Sequence, residues 1–492
     1  MYVYIFIILA YLLALTAYNF YQAKKVKTQD DMMVAGRSLG VTKMVFTLVC
    51  TWIGSGTFIA GAEYAYRAGW SSMWMPAGAW VGIMVIYFLA AKIRTFGQYT
   101  IGDILEERYG KFARLFGAVA LVIAFTTIVS YQFRAGGYIL NVITDGAISV
   151  EVGQALAAGF VILFTAIGGM IAVAHTDLPN GIIIVLACII AVPFVVATAG
   201  GFGAPAEVLP ASHMLLVSPE FGQYPFLKAF SYFLATMFLL LGVQSMYQKF
   251  YSARTPADAK KAVALWIVGT IVVETVVVVI AIYASSYFWG DTTLDPAAIV
   301  LHAARKMVPA PVGLLLLAAA VVVVISTGMN YLLSPSTNIM RDIYQRFINP
   351  DAPQARMVAL QKVFIVVIGL AAFLMIFIPT AMNLQISVLK YAYFAYTMYG
   401  VAITPAVLAA LAWKRATKQG GLASIVSGAF MAIVLDLVIP YGFPQLLVDG
   451  DPWGIPSIYP ALLVSIGALV IVSLMTPKPD PSLLAKLFPE KA

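Results

Sequence analysis

VVVVISTGMNYLLSPSTNIMRDIY, residues 321–344, sets two adjacent hydroxyls, Ser326 and Thr327, deep in an apolar helix that ends in the charged RDIY. A hydroxyl in such a helix can bond back to the carbonyl of the preceding turn, which is the ordinary fate of membrane Ser and Thr. Two side by side also offer hard oxygens to a cation or to a neighbouring carbonyl. Which applies depends on the helices around this one.

Those helices are legible from composition. The chain has 492 residues, of which 62% are hydrophobic and 11% charged, with a mean hydropathy of +0.91. These values describe an all-α polytopic membrane protein and exclude a soluble one. Apolar runs near the ~20 residues that cross a bilayer recur at 3–22, 42–66, 72–93, 116–144, 153–173, 180–200, 227–248, 263–288, 311–336, 357–379, 386–412, 421–440 and 457–476, about thirteen spans. No soluble domain interrupts them. The chain reads as one membrane domain: 1–41 a first span and loop, 42–200 and 227–412 two groups of five spans, and 413–492 the last two spans and a tail.

Alternating the loops between two sides places 24 of the 30 lysines and arginines on one side, among them Lys24, Arg94, Arg108, Lys260, Arg346, Lys414 and Lys491. The positive-inside rule makes that side the cytoplasm. With an odd number of spans, the N-terminus is then outside and the C-terminus inside. The net charge of +8 is thus a topology signal and calls for no nucleic-acid partner. The first span lacks a basic start and a cleavage site, and reads as retained. Cys50 and Cys188 lie in apolar spans and offer neither a disulfide framework nor a metal cluster. No phosphate loop points to ATP, and no His, Cys or carboxylate cluster points to an enzyme.

Two spans are interrupted at corresponding places. CTWIGSGTF, residues 50–58, has Gly54 and Gly56 among Thr51, Ser55 and Thr57, and LLLGVQSMYQKF, residues 239–250, has Gly242 and Gln244. Such breaks in two halves are the sign of a transporter that binds ion and substrate on unwound backbone. A small-residue packing face is the other reading of the first. Five spans separate the breaks, so spans 2–6 and 7–11 form a candidate 5+5 inverted repeat.

The segment order ST, S-x-ST, RDIY, together with AGRSLG at 35–40, IGSG at 53–56, TIGDILEERYG at 100–110, GGMIAVAHTD at 168–177, MYQKFYSA at 246–253 and AWKRATKQGG at 412–421, resembles the sodium/solute symporter family, of the leucine-transporter-type inverted-repeat fold. The resemblance implies alternating access with Na+ as coupling ion, no other cofactor, and a bacterial inner-membrane location. The partners are then a small solute, Na+ and the bilayer, with no obligate protein. It implies a sodium site from the carbonyls of Cys50, Ile53 and Val323 and the hydroxyls of Ser326 and Thr327. Five neutral oxygens suit a monovalent hard cation, whereas Ca2+ recruits carboxylates. Asp177 matches the carboxylate on the sodium route, with a helix N-cap as its ordinary alternative. Some family members hold a second Na+ with hydroxyls where this chain has Met329 and Asn330, so a 1:1 stoichiometry is expected.

The solute is read less directly. Arg134 lies well inside the fourth span, where an ionisable residue is a functional-site candidate, and its fork suits a carboxylate; a structural pair with Glu63, Glu274 or Asp145 is the alternative. Ser55, Thr57, Gln132, Gln244 and Tyr393 complete the substrate candidates, with Tyr391, Tyr396 and Tyr399 beside them. Thr57, Val243 and Ser245 stand where sugar carriers of the family have longer polar readers. A monocarboxylate, a pantothenate-like acid or an amino acid is therefore favoured over a sugar or other neutral solute. A membrane sensor or channel on the same core remains the different-class alternative. Glu63 and Arg67 read as a wet vestibule pair of little weight, and Glu274 and Lys390 have no assigned role.

Overall fold

The computed structural model describes residues 2–95, 99–382, 384 and 387–488. Lys491, Ile386 at the start of the eleventh expected span, and residues 96–98 of the 94–115 loop lie outside the described residues. The first half runs α1 (Tyr2–Ala23), α2 (Gln29–Val34), α3 (Val41–Trp52), α4 (Gly61–Ala68), α5 (Trp74–Thr95), α6 (Ile101–Tyr109), α7 (Lys111–Ile143), α8 (Val150–Ala199) and α9 (Ala204–Val208). The second runs α10 (Pro225–Gly242), α11 (Gln244–Ser252), α12 (Pro256–Tyr287), α13 (Ile299–Lys306), α14 (Ala310–Asn338), α15 (Gln354–Ala381), α16 (Val388–Ala402), α17 (Thr404–Ala412), α18 (Lys418–Ile433), α19 (Ile439–Gly442) and α20 (Ile458–Met475).

Among the described residues, 11 helical stretches, some of them broken within, are long and apolar enough to cross a membrane, against about thirteen expected spans. The difference lies where two expected spans share one helix. Gly56–Thr95 runs 40 residues and Val150–Ala199 runs 50. At 1.5 Å per residue the second is about 75 Å long, more than twice a hydrocarbon core of ~30 Å. It bends at Gly169, whose φ of 57° lies in the left-handed region. A Cβ there would also meet Met32 Sδ at 2.4 Å, so only glycine fits.

Burial separates the core helices from the rim. The apolar stretches within Val388–Ala412 and Ala310–Ile348 are 89% and 78% buried, against 17% for that within Tyr4–Ala23. α14 sits between α7 and α8, while α12 packs on α3, α5 and α8 and α10 on α5 and α16. The broken α3–α4 segment is thereby enclosed by α8, α12, α14 and α16. Leu13, Phe88, Leu463 and Met475 point outward, as lipid-facing residues must.

The charged motifs hold one end of the bundle. Arg114 of α7 contacts Asp103 at 2.7 Å, Glu106 at 2.7 Å and Asp342 at 2.6 Å. Thr100 and Asn338 complete the shell of Asp342. TIGD and RDIY are therefore two halves of one buried ion cluster that ties α6 to the end of α14. Leu39 of AGRSLG bridges Ala253 of MYQKFYSA at the same end.

Candidate sodium site and pocket

Helix α3 stops at Ile53, whose ψ of 95° is extended, and helical geometry resumes at Ser55. The break frees carbonyls and N–H groups that must find partners in an apolar interior. Two come from α7 and α14. Gln132 Oε1 accepts the Ser55 N–H at 3.2 Å. Thr327 Oγ1 lies 2.9 Å from Cys50 O and 3.1 Å from Ile53 O.

The Thr327 hydroxyl, from a residue nearly 280 positions after Cys50 in sequence, thus meets both free carbonyls at hydrogen-bond distance and gathers three hard oxygens at the break. The donor set is neutral, so it fits a monovalent ion. Val323 is fully buried one turn earlier on α14. Of the five expected ligands, Cys50, Ile53 and Thr327 are in direct contact. Ser326 turns aside, and its hydroxyl donates to Asp177 Oδ1 at 2.5 Å.

Asp177 is not a helix cap, because α8 runs through it without interruption. Its carboxylate also accepts from Thr47 at 2.5 Å and from Asn330 at 3.4 Å, and the Cys50 thiol bonds its backbone carbonyl at 3.3 Å. Asn330 in turn accepts from Lys249 Nζ, a fully buried ammonium whose other partner is Met170 Sδ at 3.1 Å. The sodium-site oxygens thus border a buried chain of Ser326, Asp177, Asn330 and Lys249. Sequence reading counts Lys249 among the basic residues of the cytoplasmic side, whereas the structure buries it fully; an ammonium inside LLLGVQSMYQKF was the signal.

Gly54 is fixed by this packing. A Cβ on it would lie 2.7 Å from Thr327 Cγ2, 3.1 Å from Thr327 Oγ1 and 3.2 Å from Gln132 Nε2. Gly54→Ala is expected to push Thr327 away from the two carbonyls. Overpacking of this kind costs about 1–3 kcal/mol, which corresponds to a roughly 5- to 150-fold loss of sodium affinity if the strain falls on the ion-bound state. Sodium titration of transport checks it, and an unchanged half-saturation would remove Thr327 from the site.

Next to the break lies a pocket lined by Trp52, Gly56, Thr57, Thr236, Glu274 and Tyr396, among others. Of the six substrate candidates, Thr57 lines it, and Ser55 adjoins it with a buried hydroxyl that has no hydrogen-bond partner among the described residues. The others are placed elsewhere. Gln132 serves the α3–α4 break. Gln244 accepts the Ile101 N–H at 2.6 Å and donates to Tyr99 O at 3.3 Å, so it anchors α6 to the second break. That break, at Val243, is spanned by Tyr399, whose hydroxyl donates to Gly242 O at 2.8 Å and accepts the Gln244 N–H at 2.9 Å. Tyr393 packs its ring on Tyr232. Arg134 already has partners: Glu151 at 3.5 Å, Gln154 at 3.4 Å and the Tyr138 ring at 5.0 Å.

Glu63 also departs from expectation. It is buried, receives Ser387 Oγ at 2.8 Å and the Leu389 N–H at 3.1 Å, and so caps α16, with Arg67 3.0 Å away. A loss of Glu63 would free an N–H at a buried helix start, which a wet vestibule pair would not. Lys390, on the same turn, is exposed.

The family model described as "Sodium:solute symporter family" matches residues 32–428, a range that holds both breaks, Asp177 and the Ser326–Thr327 pair. The chain belongs to the sodium:solute symporter family. It is accordingly an integral membrane transporter and not an enzyme. The symporter is 25% identical over 95% of its length to the osmoregulated proline transporter OpuE of Bacillus subtilis, 94% of which is covered. It is 26% identical over 94% of its length to the sodium/pantothenate symporter of Escherichia coli, 95% of which is covered. Among solved structures, a substrate-bound, outward-open Na+-coupled sialic acid symporter superposes with a TM-score of 0.79 at 16% identity, over 96% of this chain and 98% of that one. MhsT, solved with L-phenylalanine, gives 0.56 at 15% identity over 89% and 98%. Both likenesses concern the fold of the symporter, the leucine-transporter type.

Proposed function

We propose that this symporter couples Na+ to the uptake of a small carboxylate-bearing solute by alternating access, across a bacterial inner membrane with the N-terminus outside and the C-terminus in the cytoplasm. The observation that carries the reading is the convergence of Thr327 Oγ1 on the Cys50 and Ile53 carbonyls at a helix break. Val323 O and Ser326 Oγ join these oxygens when the ion binds, and Ser326 then shares its hydroxyl between Na+ and Asp177. Asp177, one hydroxyl away from the ion, is a stepping point on the sodium route. Thirteen crossings with two five-span repeats, residues 42–200 and 227–412, complete the arrangement.

The relatives that carry proline and pantothenate, both carboxylate-bearing, support the solute class. Its carboxylate is assigned to the helix that begins at Gly56, whose positive dipole end meets the pocket at Gly56 and Thr57, next to the unpartnered Ser55 hydroxyl. Arg134, held by Glu151, is left out of that role. For a net-neutral, zwitterionic solute carried with one Na+, one charge moves through ~100 mV and gains about 2.3 kcal/mol, enough for ~50-fold accumulation before any sodium gradient is added, whereas a monoanion carried with one Na+ moves no net charge.

Uptake of labelled organic acids, amino acids and sugars into proteoliposomes with an inward Na+ gradient tests the reading. Sodium current without solute flux would instead indicate a channel. A single sodium per cycle is expected, because Met329 offers no hard oxygen and Lys249 already reaches Asn330. Initial rate against Na+ should then be hyperbolic, and a Hill coefficient near two with a two-to-one flux ratio would overturn the stoichiometry.

A further inference from the structure

Glu274 sits in the middle of α12, a 32-residue helix that is otherwise apolar over its central turns. An ionisable side chain there is expensive and needs a compensating group. The compensation on the protein side is incomplete. Trp52 Nε1 donates to Oε1 at 2.9 Å and Trp80 Nε1 donates to Oε2 at 2.8 Å. No lysine or arginine forms an ion pair with Glu274 among the described residues, whereas Asp103, Glu106 and Asp342 share Arg114.

The two indoles clamp the carboxylate from opposite oxygens and fix its orientation. A carboxylate has about four lone-pair sites, so acceptor capacity remains. Glu274 lines the same pocket as Trp52, Gly56, Thr57 and Tyr396. A carboxylate flanked by an indole and a phenol ring is suited to a positively charged nitrogen, which gains both the ion pair and the electron-rich ring faces. It repels a second carboxylate placed beside it.

The geometry points to Glu274, held by Trp52 and Trp80, as the subsite for a protonated or quaternary nitrogen of the solute, so that the transported molecule is a small zwitterion. Its nitrogen meets Glu274 and its carboxylate meets the start of the helix at Gly56. The inference rests on the symport reading and narrows it. Simple monocarboxylates and sugars fall outside the subsite, the first for lack of a cation and the second for lack of any charge.

Matched probe pairs that differ in the nitrogen test it. Wild-type protein in proteoliposomes under an inward Na+ gradient is offered L-proline against cyclopentanecarboxylate, L-alanine against propionate, and glycine betaine against 3,3-dimethylbutanoate. Sodium-dependent uptake, or competition with it, is expected only from the nitrogen-bearing member of a pair. Glu274→Gln should raise the half-saturation for that member at least tenfold and bring the two members together, and Glu274→Asp should recover part of the difference. Sodium-dependent uptake that is equal for both members, or better for the deaminated one, overturns the subsite while leaving symport standing. Uptake of no probe, sugars and organic acids included, overturns the symport reading and the subsite with it. A wild-type preference that survives unchanged in Glu274→Gln overturns Glu274 as the subsite, and where Glu274→Gln does not fold the same comparison is read in Glu274→Asp.

Discussion

Sodium-driven uptake is expected to collapse when Ser326 and Thr327 are both replaced by alanine. Thr327 supplies the oxygen that meets two free carbonyls of the broken helix, and Ser326 links the same place to Asp177. Hydrogen-bond-strength contacts to a charged species are each worth about 1.5–3 kcal/mol, so the double change removes roughly 3 kcal/mol or more, a ~150-fold loss of sodium affinity. The single variants separate the two roles. Thr327→Ala should carry most of the loss in sodium half-saturation, and Ser326→Ala should also disturb Asp177. The measurement is initial uptake rate against Na+ concentration in protein that reaches the membrane at normal levels. Wild-type sodium dependence in the double variant would move the ion site elsewhere.

Lys249→Met is the second large effect. Lys249 Nζ reaches Asp177 through Asn330, and both charged groups are fully buried. Removing one member of a buried charge system leaves the other uncompensated, at about 3–5 kcal/mol. The variant should unfold at a lower temperature in sodium-free detergent and regain stability on addition of Na+, since an ion that binds only the folded state stabilises it by mass action. Asp177→Asn in the same chain should restore part of the loss, because the double variant buries no lone charge. A double-mutant cycle reads that coupling. Additive losses would mean that the two residues act independently.

Hydropathy was enough to place the helices, because apolar length is a local property of the chain. Each of the thirteen runs is mostly helical where it is described, and the two breaks occur at IGSG and GVQ, where the small and polar residues are. The motif order was equally local, and the family assignment followed the same residues. The grouping of Cys50, Ile53 and Thr327 was expected from the family resemblance, and the structure brings these three into contact at the break.

Side-chain partnership across helices was not legible. Arg134 and Glu274 look alike in sequence, each an ionisable residue inside an apolar run. Packing pairs the first with Glu151 at 3.5 Å and leaves the second clamped by two tryptophans at the pocket. Gln244 reads as a pocket residue until α6 is seen to take its carbonyl, and Glu63 reads as a wet ion pair until Leu389 is seen to need a cap. Local sequence thus settled which segments enter the membrane and where they break. Which buried charge is neutralised by the protein, and which is left for a ligand, was decided only when helices distant in sequence came within a few ångströms of each other, because desolvation depends on the neighbours in space.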